Sequence, residues 1–107
     1  MYVGNLTVRS GENITITGNY SLKNNESINV EAGGTLNITK SLLANSSGTS
    51  VTINGNLNVE ENYKVSTDNT SHNLNGNVTV GGYFKVVGPN TVYVRGGLDI
   101  TGKLILT

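Results

Sequence analysis

The chain has 107 residues, seven Lys+Arg balanced by seven Asp+Glu, one histidine and no cysteine. That size fits one small domain spanning residues 1–107, zero net charge gives no electrostatic pull toward nucleic acid or an anionic membrane, and the lack of cysteine removes disulfides and thiolate metal sites. A single histidine leaves no multi-histidine metal centre, and no apolar run approaches the roughly 20 residues of a membrane-spanning helix.

The apolar residues recur as i, i+2 pairs, the alternation of half-buried strands. In chain order the predicted strands centre on Leu6/Val8, Ile14/Ile16 and Tyr20/Leu22, then Ile28/Val30, Leu36/Ile38 and Leu42/Ala44, then Val51/Ile53, Leu57/Val59 and Tyr63/Val65. They continue as His72/Leu74, Val78/Val80 and Phe84/Val86, and end with Val92/Val94, Leu98/Ile100 and Leu104/Leu106. These fall into five groups of three, and each column advances by 20 to 23 residues from one group to the next. A period in the low twenties built from three short strands is a solenoid signature. The chain is therefore expected to be all-β: a single-stranded, three-sided β-helix (β-solenoid) of about five coils. A meander of hairpins, invited by Asn54-Gly55 and Asn75-Gly76, has no reason to show a three-strand period.

The corners keep the same register. The corner after the second strand is three residues in each group: 17–19, 39–41, 60–62, 81–83 and 101–103. The corner before it carries glycine each time: Gly11, Gly33-Gly34, Gly55, Gly76 and Gly96-Gly97. The third corner is longer and polar. Like residues should stack inside, with Leu6, Ile28, Val51, His72 and Val92 on one face. Ile14, Leu36, Leu57, Val78 and Leu98 should line the second, and Tyr20, Leu42, Tyr63, Phe84 and Leu104 the third. The Tyr20 and Tyr63 hydroxyls should find partners near corners, and His72 should be half-buried at a corner in a structural role.

Both ends read as uncapped. The first strand begins by residue 6, the last ends at Leu106, and neither an amphipathic helix nor a charged edge segment flanks them, with only Arg9 and Lys103 nearby. An open, pairing-competent edge invites another chain. Leu6, Ile14 and Tyr20 at one end, and Val92, Leu98 and Leu104 at the other, are the candidate assembly residues. Five coils at about 4.8 Å each predict a stack roughly 24 Å tall.

Asparagine is the strongest compositional signal. Eight N-x-S/T sequons occur, at Asn5, Asn13, Asn19, Asn25, Asn37, Asn45, Asn69 and Asn77; about 3.5 are expected by chance from this composition. The surplus points to N-glycosylation and a surface or extracellular protein, although solenoid corners and outward strand positions also favour Asn, Ser and Thr. The middle residues of the third face, Ser21, Leu43, Lys64, Lys85 and Ile105, are expected to point outward, so that Leu43 and Ile105, bordered by Tyr83 and Val87, offer a lateral contact patch. Glu60-Glu61 is an adjacent acid pair whose side chains diverge at a corner, near enough to Asp68 and Asn69 for a weak calcium site to be considered. No catalytic constellation, cofactor site or metal site is predicted, and the chain is not expected to be an enzyme.

Gly4-Asn-Leu-Thr-Val8, echoed by Gly55-Asn-Leu-Asn-Val59 and Gly76-Asn-Val-Thr-Val80, resembles the rungs of secreted β-helical surface proteins. Glu31-Ala-Gly-Gly-Thr-Leu-Asn-Ile38 resembles the passenger regions of bacterial adhesins and archaeal surface proteins. The small, uncapped domain is also similar to bactofilins, which are cytoplasmic and polymerise end to end; the dense sequons depart from that pattern. These resemblances imply a structural subunit, its only implied partner another copy of itself, stacking head to tail into an extracellular or cell-surface filament. The alternatives are a segment of a larger adhesin and a bactofilin-like cytoskeletal polymer.

Overall fold

The structure is a computed structural model that describes residues 4–88 and 90–107. Strands are numbered in chain order. One sheet contains β1 (Leu6–Val8), β4 (Ser27–Val30), β7 (Ser50–Ile53), β10 (Ser71–Leu74) and β13 (Val92–Val94). The second contains β2 (Asn13–Ile16), β5 (Thr35–Ile38), β8 (Asn56–Val59), β11 (Asn77–Val80) and β14 (Gly97–Ile100). The third contains β3 (Tyr20–Leu22), β6 (Leu42–Ala44), β9 (Tyr63–Val65), β12 (Phe84–Val86) and β15 (Leu104–Leu106). Each strand pairs in parallel with its counterparts one coil away, so the chain makes a three-sided β-solenoid of five coils. Parallel strands need a long crossover; here the other two strands of the coil supply it, and no helix is required.

The register is the one the apolar columns predict. Leu6 pairs with Ile28, Ile28 with Val51, Val51 with His72 and His72 with Val92. The columns headed by Ile14 and Tyr20 stack in the same way. A slip of one residue would turn every inward side chain out, so the alternation pins the register. Both members of each apolar pair face inward and are buried through the middle coils, as at Leu36 and Ile38, Leu57 and Val59, and Val78 and Val80. At the centre the Tyr63 and Phe84 rings lie parallel with centroids 4.3 Å apart, continuing the coil-to-coil stacking in aromatic form.

Two corner columns set how closely the coils approach. In the long third corner, Asn25, Gly48 and Asn69 occupy equivalent positions with φ of 64°, 77° and 61°. Asn and Gly are the residues that adopt this left-handed conformation at least cost, which accounts for asparagine there without reference to glycans. At the corner before the second strand, a Cβ on Gly76 would overlap the Gly55 carbonyl of the coil beneath. Its φ is not left-handed, so glycine is required there by space.

Candidate functional site: the two ends and the polar faces

The described residues enclose no pocket, so the candidate sites are surfaces. The two ends differ. In the fifth coil the inward positions Val94, Leu104 and Leu106 are 44 %, 55 % and 70 % exposed, although their counterparts in the coil beneath, Leu74, Phe84 and Val86, are buried. Val92, Leu98 and Ile100 are half-buried. In the first coil, by contrast, Val8, Ile16, Tyr20 and Leu22 are buried, and only Leu6 and Ile14 are half-buried. Tyr20 donates its hydroxyl to Gly4 O at 2.6 Å. Among the described residues no helix or separate cap crosses either end.

Two edge donors of the first coil are also occupied. Arg9 N–H donates to Glu12 Oε1 at 2.7 Å, and Lys23 N–H to Glu26 Oε1 at 2.6 Å. In later coils the residues stacked on Arg9 donate instead to the coil beneath: Glu31 to Val8 O, Asn54 to Val30 O, Asn75 to Ile53 O and Arg95 to Leu74 O, all at 2.8–2.9 Å. The two ends are therefore unequal. One edge is apolar and open; at the other the inward apolar residues are mostly buried and two backbone donors are paired within the coil.

Outward polar residues of the second sheet form ladders between coils. Asn37 Nδ2 donates to Asn13 Oδ1 at 2.7 Å, and Asn58 Nδ2 to Asn37 Oδ1 at 2.9 Å. Asn77 Nδ2 donates to Asn56 Oδ1 at 3.3 Å. At corners, Asn5 Oδ1 accepts from Ser27 N, Asn19 Oδ1 from Ser41 N and Asn62 Oδ1 from Tyr83 N. Five of the eight sequon asparagines, Asn5, Asn13, Asn19, Asn37 and Asn77, thus have side-chain amides engaged with another coil. Asn25, Asn45 and Asn69 stand exposed in the long third corner.

His72 departs from expectation. It is fully buried as the second residue of β10 rather than half-buried at a corner. Its tautomer follows from its surroundings. Asn90 Nδ2 donates to Thr67 O and Val87 O at 2.7 and 2.9 Å, which turns Asn90 Oδ1 toward the Thr70 N–H and hydroxyl at 3.2 and 3.0 Å. Thr70 therefore donates its hydroxyl proton to Asn90 and accepts from His72 Nε2–H at 3.2 Å. His72 Nδ1 is left to accept the Tyr63 hydroxyl at 2.6 Å. Burial pushes the His72 pKa down to about 4 and raises that of Tyr63. The Tyr63 hydroxyl thus finds its partner inside the core, not near a corner, where the sequence placed it.

The third face presents a mixed surface. Ser21 is buried, and Leu43, Ile105, Tyr83 and Val87 are half-buried; among the described residues the large apolar side chains with the greatest exposure are on the fifth coil. Glu60 and Glu61 are exposed, and among the described residues no group of three or more His, Cys, Asp or Glu converges on one point. The residues missed from sequence were Val94 and Leu106, second members of their pairs, and the glutamates at 12 and 26. Aligning the five coils would have exposed the latter, because they stand where other coils carry glycine, or threonine and asparagine. Comparison with protein-family models, with curated proteins and with solved structures finds no match to this chain.

Proposed function

We propose that this chain is a structural, non-catalytic subunit that stacks end to end through its β-solenoid edges into an extracellular or cell-surface filament. The single observation that carries this reading is the open fifth coil, whose inward Val94, Leu104 and Leu106 are exposed at column positions buried in the coil beneath. A first coil from a second copy matches it strand for strand: three, four and three residues in β1, β2 and β3 against three, four and three in β13, β14 and β15. In that register Val94 aligns with Val8, Ile100 with Ile16, and Leu104 and Leu106 with Tyr20 and Leu22 of the next copy, so that all three sheets continue by β-augmentation. Glycans are proposed for the exposed third-corner asparagines Asn25, Asn45 and Asn69, because the other five sequon amides are tied into contacts between coils.

Electron microscopy and sedimentation velocity of the native protein test this reading. Thin fibres with an axial repeat near 24 Å, lost in Leu104→Glu, are expected; monomers at every concentration and salt tested would overturn it. A second reading, a segment of a larger β-helical adhesin, is favoured by the inequality of the two ends, since a solenoid continuing within one chain needs only the open edge.

A further inference from the structure

We infer that Glu12 and Glu26 lock the first-coil edge, so that end-to-end docking requires both carboxylates to leave the backbone donors they now hold; this rests on the stacking reading above. The two locks share one design. In each, a four-residue turn is closed by a backbone bond, Glu12 N to Arg9 O at 2.9 Å and Glu26 N to Lys23 O at 3.1 Å. The glutamate at its fourth position then reaches back to the N–H of its first. Those N–H groups point out of the end of the stack. All four counterparts of Arg9 donate to the coil beneath, as Glu31 does to Val8 O, and so do three of the four counterparts of Lys23: Ser66, Val87 and Thr107 donate to Ala44, Val65 and Val86 O at 2.8–3.1 Å. In a stacked pair the acceptors would be Val94 O and Leu106 O on the open fifth coil. An incoming fifth coil therefore competes with two carboxylates for the same donors. An unpaired edge donor is what promotes strand addition, and pairing it is a recognised way to block that addition.

The second coil shows that the turn itself does not demand a carboxylate. Gly34 N closes the same turn onto Glu31 O at 2.9 Å, with glycine at the fourth position. Glu31 N is then free to reach Val8 O in the coil beneath. Glutamate at this position is thus confined to the coil whose donors face outward.

Glu12 adds a steric element. Its column continues as Gly34, Gly55, Gly76 and Gly96. In each of these four a Cβ would press on a backbone carbonyl of the coil beneath: Arg9, Gly34, Gly55 and Gly76 O, respectively. The position therefore excludes side chains wherever a coil lies under it, and Glu12 carries one. Glu26 heads the column Thr49, Thr70 and Asn90, where no other carboxylate occurs. At both positions the first coil differs from the rest in the direction that disfavours a coil beneath it.

The test is the double variant Glu12→Gly/Glu26→Thr, which installs the residues of the two columns. Its charge-matched control is Glu60→Gln/Glu61→Gln, at an exposed corner of the third coil. Sedimentation velocity and electron microscopy over a concentration series give the concentration at which half the protein is assembled. Amide hydrogen exchange reads Arg9 and Lys23, with the β5, β8 and β11 amides as the folding control. The lock predicts that the double variant assembles at a concentration at least tenfold lower than wild type, that the control does not, and that Arg9 and Lys23 exchange faster in its unassembled form. If wild type forms fibres and the double variant needs the same concentration, the lock is wrong and the stacking reading stands. If only the double variant assembles, the lock holds and unaided assembly of the wild type fails. If neither assembles while the folding control stays protected, both are overturned.

Discussion

Lowering the pH should destabilise this solenoid through one side chain. His72 is fully buried, accepts the Tyr63 hydroxyl at Nδ1 and donates from Nε2 to Thr70. The groups bonded to or packed against its ring, Tyr63 and Thr70, and its column neighbours Val51 and Val92 are uncharged at neutral pH. A proton added at Nδ1 would meet a hydroxyl that already donates there, inside an apolar column, with no carboxylate to balance the charge. Burial accordingly holds the pKa at about 4 rather than 6.5. The unfolded chain, with the ordinary value, binds the proton first as the pH falls. The contribution to stability is therefore fully present above about pH 6.5 and is lost as the pH falls through about 4. At 1.36 kcal/mol per pKa unit the loss is about 3 kcal/mol between pH 7 and 4. Urea unfolding of wild type and His72→Val at pH 7, 5.5 and 4 isolates it, because the carboxylates titrate in both proteins and valine matches the residues above and below. The wild type should lose about 3 kcal/mol more than the variant across that range. Parallel losses would refute the assignment of a neutral, buried imidazole.

Two further perturbations address the corners. Gly76→Ala sets a Cβ against the Gly55 and Asn54 carbonyls, and should cost on the order of 3 kcal/mol in urea unfolding; a cost below ~0.5 kcal/mol would mean that the coils separate there without penalty. Asn90→Ala removes the amide that bonds Thr67 O, Val87 O and Thr70. It should cost about 1–3 kcal/mol and raise hydrogen exchange at Thr70, whereas unchanged exchange would show that Asn90 does not organise the third corner.

The amino-acid sequence by itself determined the fold. Period-2 alternation chose strands, the return of the alternation every 20 to 23 residues chose coils, and the glycine corners set the register. These are local properties, because in a solenoid each residue's main neighbours are its own counterparts one coil away. The columns read from the sequence are accordingly the pairings in the structure. His72 could not be read the same way. Its alternation placed it inward, but its full burial depends on Tyr63 in an adjacent sheet and on Thr70 held by Asn90. No periodicity encodes contacts between different faces of the coil.

Nor did the sequence distinguish the two ends. Leu6, Ile14 and Tyr20 read as the mirror of Val92, Leu98 and Leu104, yet Tyr20 is buried and Leu104 is 55 % exposed. Glu12 and Glu26 stand in the sequence as single acids outside any motif. Only the tertiary structure assigned them to the outward donors of the first coil. Whether a backbone N–H faces a coil or the end of the stack is set by stacking direction, and that direction exists only once the coils are assembled.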